Sequence, residues 1–483
     1  MKTIYKLRNL AARLAMMTVV GATAMFATSC DDYLNIQPKS VYIPETLEDY
    51  EAFFNNTGAT TSAHSYYEFF HGYLLGERYV SKATLAWYPQ EDYTYIYSLN
   101  TDYDRSLILS STEIQMPYRG VTVANQIIDG CNSVDNCDEG YRQSLIASAR
   151  TLRAMMLFRI AQSFADAYNP ATAATKMAIP MLTSSSASAR VVQPTLEEFY
   201  KFLVSELEEA AACPTLENYG HTILIPGKGA AYAALARVKL AMWDYEGALD
   251  AANKALAINS QLIDWVKFYN DNYENYFKEY VRGKYLPSPR DFAAVDNYYY
   301  AMNTLSLSNG SESMFISHRD LYEEGDRFFD CHWHLPEGYN YYYQVLSGRV
   351  NFAGLSTPEQ YYIKAECLAR LGKVSDACDV INAHRRTVID PAVYVDFKTT
   401  SQDECIRKVQ QMKRGVCCKN IVNLSDIKRY NSEGKYPVTV TKTYEDGTVL
   451  TLEPNHRLYT CPFPLNLFGE GEMYGNIVQN AEY

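Results

Sequence analysis

The stretch Ala233–Leu256, AALARVKLAMWDYEGALDAANKAL, can be laid without a gap over Tyr362–Arg385, YIKAECLARLGKVSDACDVINAHR, and this match decides the fold. Each copy has a small residue in its first half, Ala236 or Ala365, then a short turn, then Ala248 or Ala377 twelve positions later. Alanine lets two antiparallel helices approach closely, and a single helical pair cannot bury its own apolar face, so such pairs stack on one another. The pattern is that of tetratricopeptide repeats and predicts a mostly α chain. Ala255 completes the small-residue series in the first copy, whereas His384 stands in its place in the second.

Working outward, Thr195-Leu-Glu-Glu198 reads as a capping box that opens the amphipathic run EEFYKFLVSELEEAAA. Thr357-Pro358-Glu359-Gln360 reads the same way, with Pro358 at the first helical position, where its missing N–H costs nothing. A further helical pair is expected from 143–167 and 195–212. Near the end, PVTVTKTY and TVLTLE flank Glu445-Asp446-Gly447, a β-hairpin that decorates the helices. The helical scaffold thus runs over about 113–258 and 357–430. Between its parts lie two stretches without clean periodicity, about 57–112 and 259–356, both dense in Tyr, Phe, Asn and Asp. Irregular stretches of that length usually carry function.

The N-terminus has a secretory layout: Lys2, Lys6, Arg8 and Arg13 without an acid, an apolar run from Leu14 to Ala27, and Thr28-Ser29-Cys30. Residues 1–29 are expected to be removed. A small residue before a lone cysteine resembles a lipobox, so Cys30 is the candidate lipid-attachment residue, although an ordinary cleavage site leaves the same trace. No segment reaches the roughly 20 apolar residues of a spanning helix. Of 44 Lys+Arg, four precede Cys30, leaving 40 against 56 Asp+Glu, a net of about −16. Such a surface repels phosphate backbones, which argues against nucleic acid. Ten further cysteines at irregular spacing read as buried thiols, with one or two disulfides open, for instance Cys131 with Cys137.

Catalytic patterns are missing. HExxH, GxSxG and Walker A spacings are absent, and Gly469-Glu-Gly471 with Gly475 lacks the strand a dinucleotide site needs. Cys331-His332-Trp333-His334 holds metal-ligating types, but adjacent residues rarely converge on one ion, so a solvent-facing loop is the expectation. The carboxylate pairs Asp102/Asp104 and Glu323/Glu324 read as a solvated face. Neither a metal nor a cofactor is called for.

The order of several short motifs resembles the SusD/RagB-like family. Cys30 is followed by Asp31-Asp32-Tyr33-Leu34-Asn35-Ile36-Gln37-Pro38-Lys39. Ala124-Asn125-Gln126-Ile127-Ile128, Leu152-Arg153-Ala154 with Phe158, the repeat from Ala230 to Ala255, and Ile381-Asn382-Ala383-His384-Arg385 come next. Asp426-Ile427-Lys428-Arg429-Tyr430 and the terminal Gln479-Asn480-Ala481-Glu482-Tyr483 complete the series. Ser148 and Thr151 depart from the pattern, which marks a divergent member. The resemblance implies one domain over 30–483, a tetratricopeptide scaffold seated on a SusC-like TonB-dependent transporter, and a lipid-anchored, outward-facing position on the outer membrane. It also implies a loop-built face that holds a nutrient, glycan or, as in RagB-like relatives, peptide.

Sugars present C–H faces that stack on flat rings and hydroxyls that need amide, carboxylate or guanidinium partners. The first loop offers Arg78, Trp87, Tyr88, Asp92, Tyr93 and Tyr95. The second offers Tyr298, Tyr299, Tyr300 and Asn303, then Trp333 with Tyr339–Tyr343. The expected ligand residues are Arg78, Trp87, Tyr88, Asp92, Tyr298, Asn303 and Trp333. Trp243 is expected to pack between repeat helices, and Trp265 is undecided. A surface glycoside hydrolase is the reading from a different class.

Overall fold

The structure is a computed structural model that describes residues 44–56, 71–85, 112–186, 188–279, 295–301, 313–344, 351, 354–464, 467 and 477–480. Cys30 and the segment around it lie outside these residues, as do Asp102, Asp104 and Gly469–Gly475. Every element below belongs to the compact unit Thr46–Tyr483.

Thr46 opens α1 (Leu47–Glu51) with a capping box, its hydroxyl accepting from the Asp49 amide at 3.2 Å while Asp49 accepts from the Thr46 amide at 2.9 Å. After the single turn α2 (Lys82–Leu85), α3 (Thr112–Ser133) and α4 (Glu139–Phe164) pack along each other, α4 starting where Asp138 caps the Tyr141 amide. The expected box at Thr195 and Glu198 is present at the start of α5 (Leu196–Ala212). The first repeat copy is α6 (Lys228–Ala241) and α7 (Tyr245–Ile258). The second is α10 (Thr357–Arg370) and α11 (Val374–Val388). Helices α4 to α7 pack in succession, α7 packs on α10, and α10 in turn on α12 (Gln402–Val416), so the pairs form one continuous stack.

The repeat alanines explain the close packing: Ala236, Ala248, Ala255, Ala365 and Ala377 are all fully buried. His384 fits in the alanine's place because Tyr362 Oη lies 2.7 Å from its Nδ1 and burial holds its pKa down to about 4, so the ring stays neutral. The turns match as well. Trp243 (φ +67°) and Gly372 (φ +79°) occupy equivalent positions and share a left-handed backbone. Trp243 is only half-buried there, held by the turn rather than packed deep between helices as expected.

The second helix start differs from the sequence reading by one residue. Ser356, not Thr357, is the N-cap, accepting from the Glu359 amide, and Thr357 begins the helix. The Glu359 carboxylate does not fold back, because buried Arg237 takes both its oxygens at 2.7 and 2.6 Å.

The stretch 259–356 is less irregular than its sequence suggests. Its described residues hold α8 (Trp265–Asn272), α9 (Arg327–His332) and five short strands. Strand β1 (Asn297–Tyr299) pairs with β5 (Leu355–Ser356), while β2 (Ser313–Phe315), β4 (Tyr341–Gln344) and β3 (Trp333–His334) form an antiparallel sheet in the order β2-β4-β3. Trp265 is buried against Phe268, Phe328 and His332. The predicted hairpin is β6 (Val440–Thr443) and β7 (Val449–Leu452), turned at Gly447 with φ +79°.

Residues of the ordered motifs act as interior staples. Asn125 and Glu206 both accept from Arg153. Glu366 accepts from Arg370, Arg429 and Tyr430 within 2.8 Å, Arg429 lying on α13 (Ile421–Glu433). Glu323 is bound by Arg385 and Lys408 rather than solvated, and these cations hold its carboxyl below the usual range even as burial opposes them. Ser148 donates to the Pro226 carbonyl. All ten described cysteines are free; the Cys131–Cys137 bridge does not form, and Cys137 Sγ instead meets Arg142 at 2.8 Å. Among the described residues no helix is long and apolar enough to cross a membrane.

Candidate ligand-binding site

The parity of a strand fixes the site. Successive side chains of β4 point to opposite faces, so Tyr342 goes one way and Tyr341 and Tyr343 the other. Tyr342 meets Phe329 edge-on at 5.1 Å on the interior face, in a cluster with Met314, Tyr322 and Trp333. Trp333 sits opposite Gln344 in the register, two residues from Tyr342, and therefore shares the inner face. His334, opposite Tyr343, falls on the outer one and is half-exposed.

On that outer face three rings come together. Tyr339 is 48% exposed and stands edge-on to Tyr341 and Tyr343 at 5.3 and 5.6 Å, while Tyr341 and Tyr343 are 5.0 Å apart with hydroxyls at 2.7 Å. Gly338 (φ +81°) makes the turn that presents Tyr339, whose amide donates to the Pro336 carbonyl. Beneath them Tyr79 stacks flat on Tyr341, 4.4 Å apart and 8° from parallel. Tyr79 is itself tied to the edge of β2 by two hydrogen bonds with Ser313. Its hydroxyl donates to Glu445 at the tip of the β6–β7 hairpin. Burial and then this carboxylate push the Tyr79 phenol well above its ordinary value, so it remains a donor. Lys82 closes this end, paired with Asp446 at 2.6 Å and lying over the Tyr444 ring.

The residues anticipated from sequence divide sharply. Trp87, Tyr88, Asp92 and Asn303 lie outside the described residues. Arg78 is half-buried directly beside Tyr79, its amide bonded to the Gly72 carbonyl. Tyr298 is 4% exposed; its hydroxyl donates to the Asn259 carbonyl and its ring rests on Gly229, so it ties β1 to the repeat and has no face left for a ligand. Trp333 is 5% exposed with the Lys419 ammonium 4.9 Å above its ring, and the same correction applies. The segment Cys331–His334 is a helix end and strand rather than a solvent-facing loop: Cys331 is buried, and burial lowers the His332 pKa to about 4. The platform itself was readable only as the string Tyr339–Tyr343; Tyr79 and Glu445, 366 residues apart, carry no common signal in the sequence.

Comparison with known proteins adds a family to this geometry. The family model SusD-like_3, described as starch-binding associating with outer membrane, matches residues 32–240. Over that part of its length the chain is similar to the SusD-like family. No curated protein matches it. Among solved structures, a SusD superfamily protein from Bacteroides thetaiotaomicron superposes with a TM-score of 0.65 at 16% identity over 90% of this chain and 100% of that one. A putative sugar binding protein from Bacteroides vulgatus gives 0.66 at 17% identity over 88% and 97%. Surface glycan-binding protein A from Bacteroides fluxus gives 0.62 at 14% over 91% and 100%. At these identities the likenesses establish the SusD-like fold.

Proposed function

We propose that this SusD-like protein captures a neutral oligo- or polysaccharide on the Tyr339–Tyr341–Tyr343 platform and passes it, unaltered, to a SusC-like TonB-dependent transporter. The observation that carries this reading is the cluster of part-exposed rings held rigid from behind by Tyr79. Stacked tyrosines offer flat apolar faces with hydroxyls at their rims, the chemistry a sugar ring requires. Glu445 and Asp446 beside the rings, on a chain of net charge −12, disfavour a polyanionic glycan there. Trp87, Tyr88, Asp92 and Asn303 are proposed to complete the face, with Arg78 at its margin. The family description and the sugar-binding names of the structural relatives support the ligand class. Lipid on Cys30 is proposed to hold the protein at the outside of the outer membrane.

Calorimetry against a panel of neutral polysaccharides and a peptide mixture, with product analysis of each glycan, tests this. One glycan should bind and be recovered intact. A peptide signal with silence on every glycan would replace the ligand class, and released oligosaccharides would make the protein a hydrolase.

A further inference from the structure

A second concave site lies at the other end of the β6–β7 hairpin. Where the hairpin tip meets the tyrosine platform, the chain leaving its base, Asn455–Thr460, walls a cleft of about 690 Å³ against the end of α4 and the last turns of α13. Three cations line it, Lys176, Lys428 and Arg457, against the single acid Asp166, on a chain whose net charge is −12. A positive cleft in so acidic a protein is a local attraction for anions.

Its donors are incompletely used. Lys428 is buried, and its ammonium donates to the Gln162 and Ala165 carbonyls at 2.8 and 2.6 Å, which leaves one of its three N–H groups over. Burial lowers its pKa to about 8, so the charge is still present at neutral pH. The Asn431 amide nitrogen and the Tyr459 hydroxyl, both about 95% buried, meet no partner in good hydrogen-bond geometry; burial pushes the Tyr459 phenol up to about 12 against the weaker pull of the neighbouring Asn431 side chain, so it keeps its proton. Buried donors without partners are costly and rare in native proteins. Arg457, exposed at the rim, forms no ion pair among the described residues.

We propose that this cleft binds a small hydroxylated monocarboxylate of about one sugar ring, its carboxylate taken by Arg457 and Lys428 and its hydroxyls by Asn431 and Tyr459. Asp166 in the wall, already paired with Lys176 at 2.5 Å, favours a single negative charge over a phosphate dianion. The proposal stands apart from the platform, whose neutral ligand and aromatic chemistry it does not share.

Titration calorimetry of the full chain in detergent, with D-glucuronate, D-glucose and inorganic phosphate as probes, tests it. Glucuronate should bind at least about tenfold more tightly than either of the others, and Arg457→Gln should remove about tenfold of that affinity. Tyr459→Phe should weaken it several-fold; if this variant does not fold, Arg457→Gln at its exposed position decides alone. Equal affinity for glucose and glucuronate, no binding of glucuronate, tighter binding of phosphate, or an unaffected Arg457→Gln each overturns the assignment.

Discussion

Exchanging Tyr339 and Trp333 for alanine separates binding from stability. Tyr339 is 48% exposed, and among the described rings it meets Tyr341 and Tyr343, so Tyr339→Ala should cost about 1 kcal/mol of fold stability or less. If the ring carries one sugar, its loss should remove about 1.4 kcal/mol of binding, a roughly tenfold rise in Kd. Trp333→Ala does the reverse. It empties a buried indole site among Met314, Tyr322 and Phe329 and removes a ring from beneath the Lys419 ammonium, at a cost of about 3–5 kcal/mol. Its affinity should stay within about twofold of wild type where the variant is still folded. Thermal unfolding and calorimetry on the same preparations measure both quantities. A Trp333→Ala protein that melts like wild type but no longer binds, beside a Tyr339→Ala protein that binds normally, would refute the assignment of inner and outer faces.

Two further predictions concern the fold. Gly372→Ala should lower stability by about 1 kcal/mol through backbone strain alone, since φ is +79° and no atom lies within 4 Å of the added Cβ; a higher melting temperature would contradict the left-handed turn. Asp326 caps α9 from a buried position, and burial raises its pKa from 3.8 to about 7, so the fold binds its proton more tightly than the unfolded chain does. The resulting penalty begins near pH 4, grows as pH rises, and is complete above about 7. Asp326→Asn keeps the cap without the charge, so it should stabilise by on the order of 3 kcal/mol at pH 8 and by almost nothing at pH 4. Calorimetric melting at the two pH values checks this, and an equal shift at both would remove the charge explanation.

How much of the site was legible follows from the range of the interactions that build it. The Tyr339–Tyr343 string was visible because an excess of rings in an aperiodic stretch is a local property. Its choice of face was not: Tyr341 and Tyr343 lie on the face that meets Tyr339 and Tyr79 because β4 is clamped between β2 and β3 in one register, and a slip of one residue would have put Tyr342 there instead. The same parity buries Trp333 and leaves His334 half-exposed, and it is this register, set by distant strands, that withdraws the indole from a ligand.

By itself the sequence determined whatever depends on neighbours three to twelve residues apart. The α6–α7 and α10–α11 repeats, the Thr195 capping box and the Glu445–Gly447 turn all rest on local hydrogen bonding and helical periodicity. Only the tertiary structure decided the outcome where a distant group competes. Arg237 draws Glu359 away from its own helix start across 122 residues, Glu366 gathers Arg429 and Tyr430 from α13, and the hairpin tip reaches Tyr79. In each case a buried charge or phenol must find a partner wherever the fold supplies one, and the partner's position in the chain leaves no periodic trace.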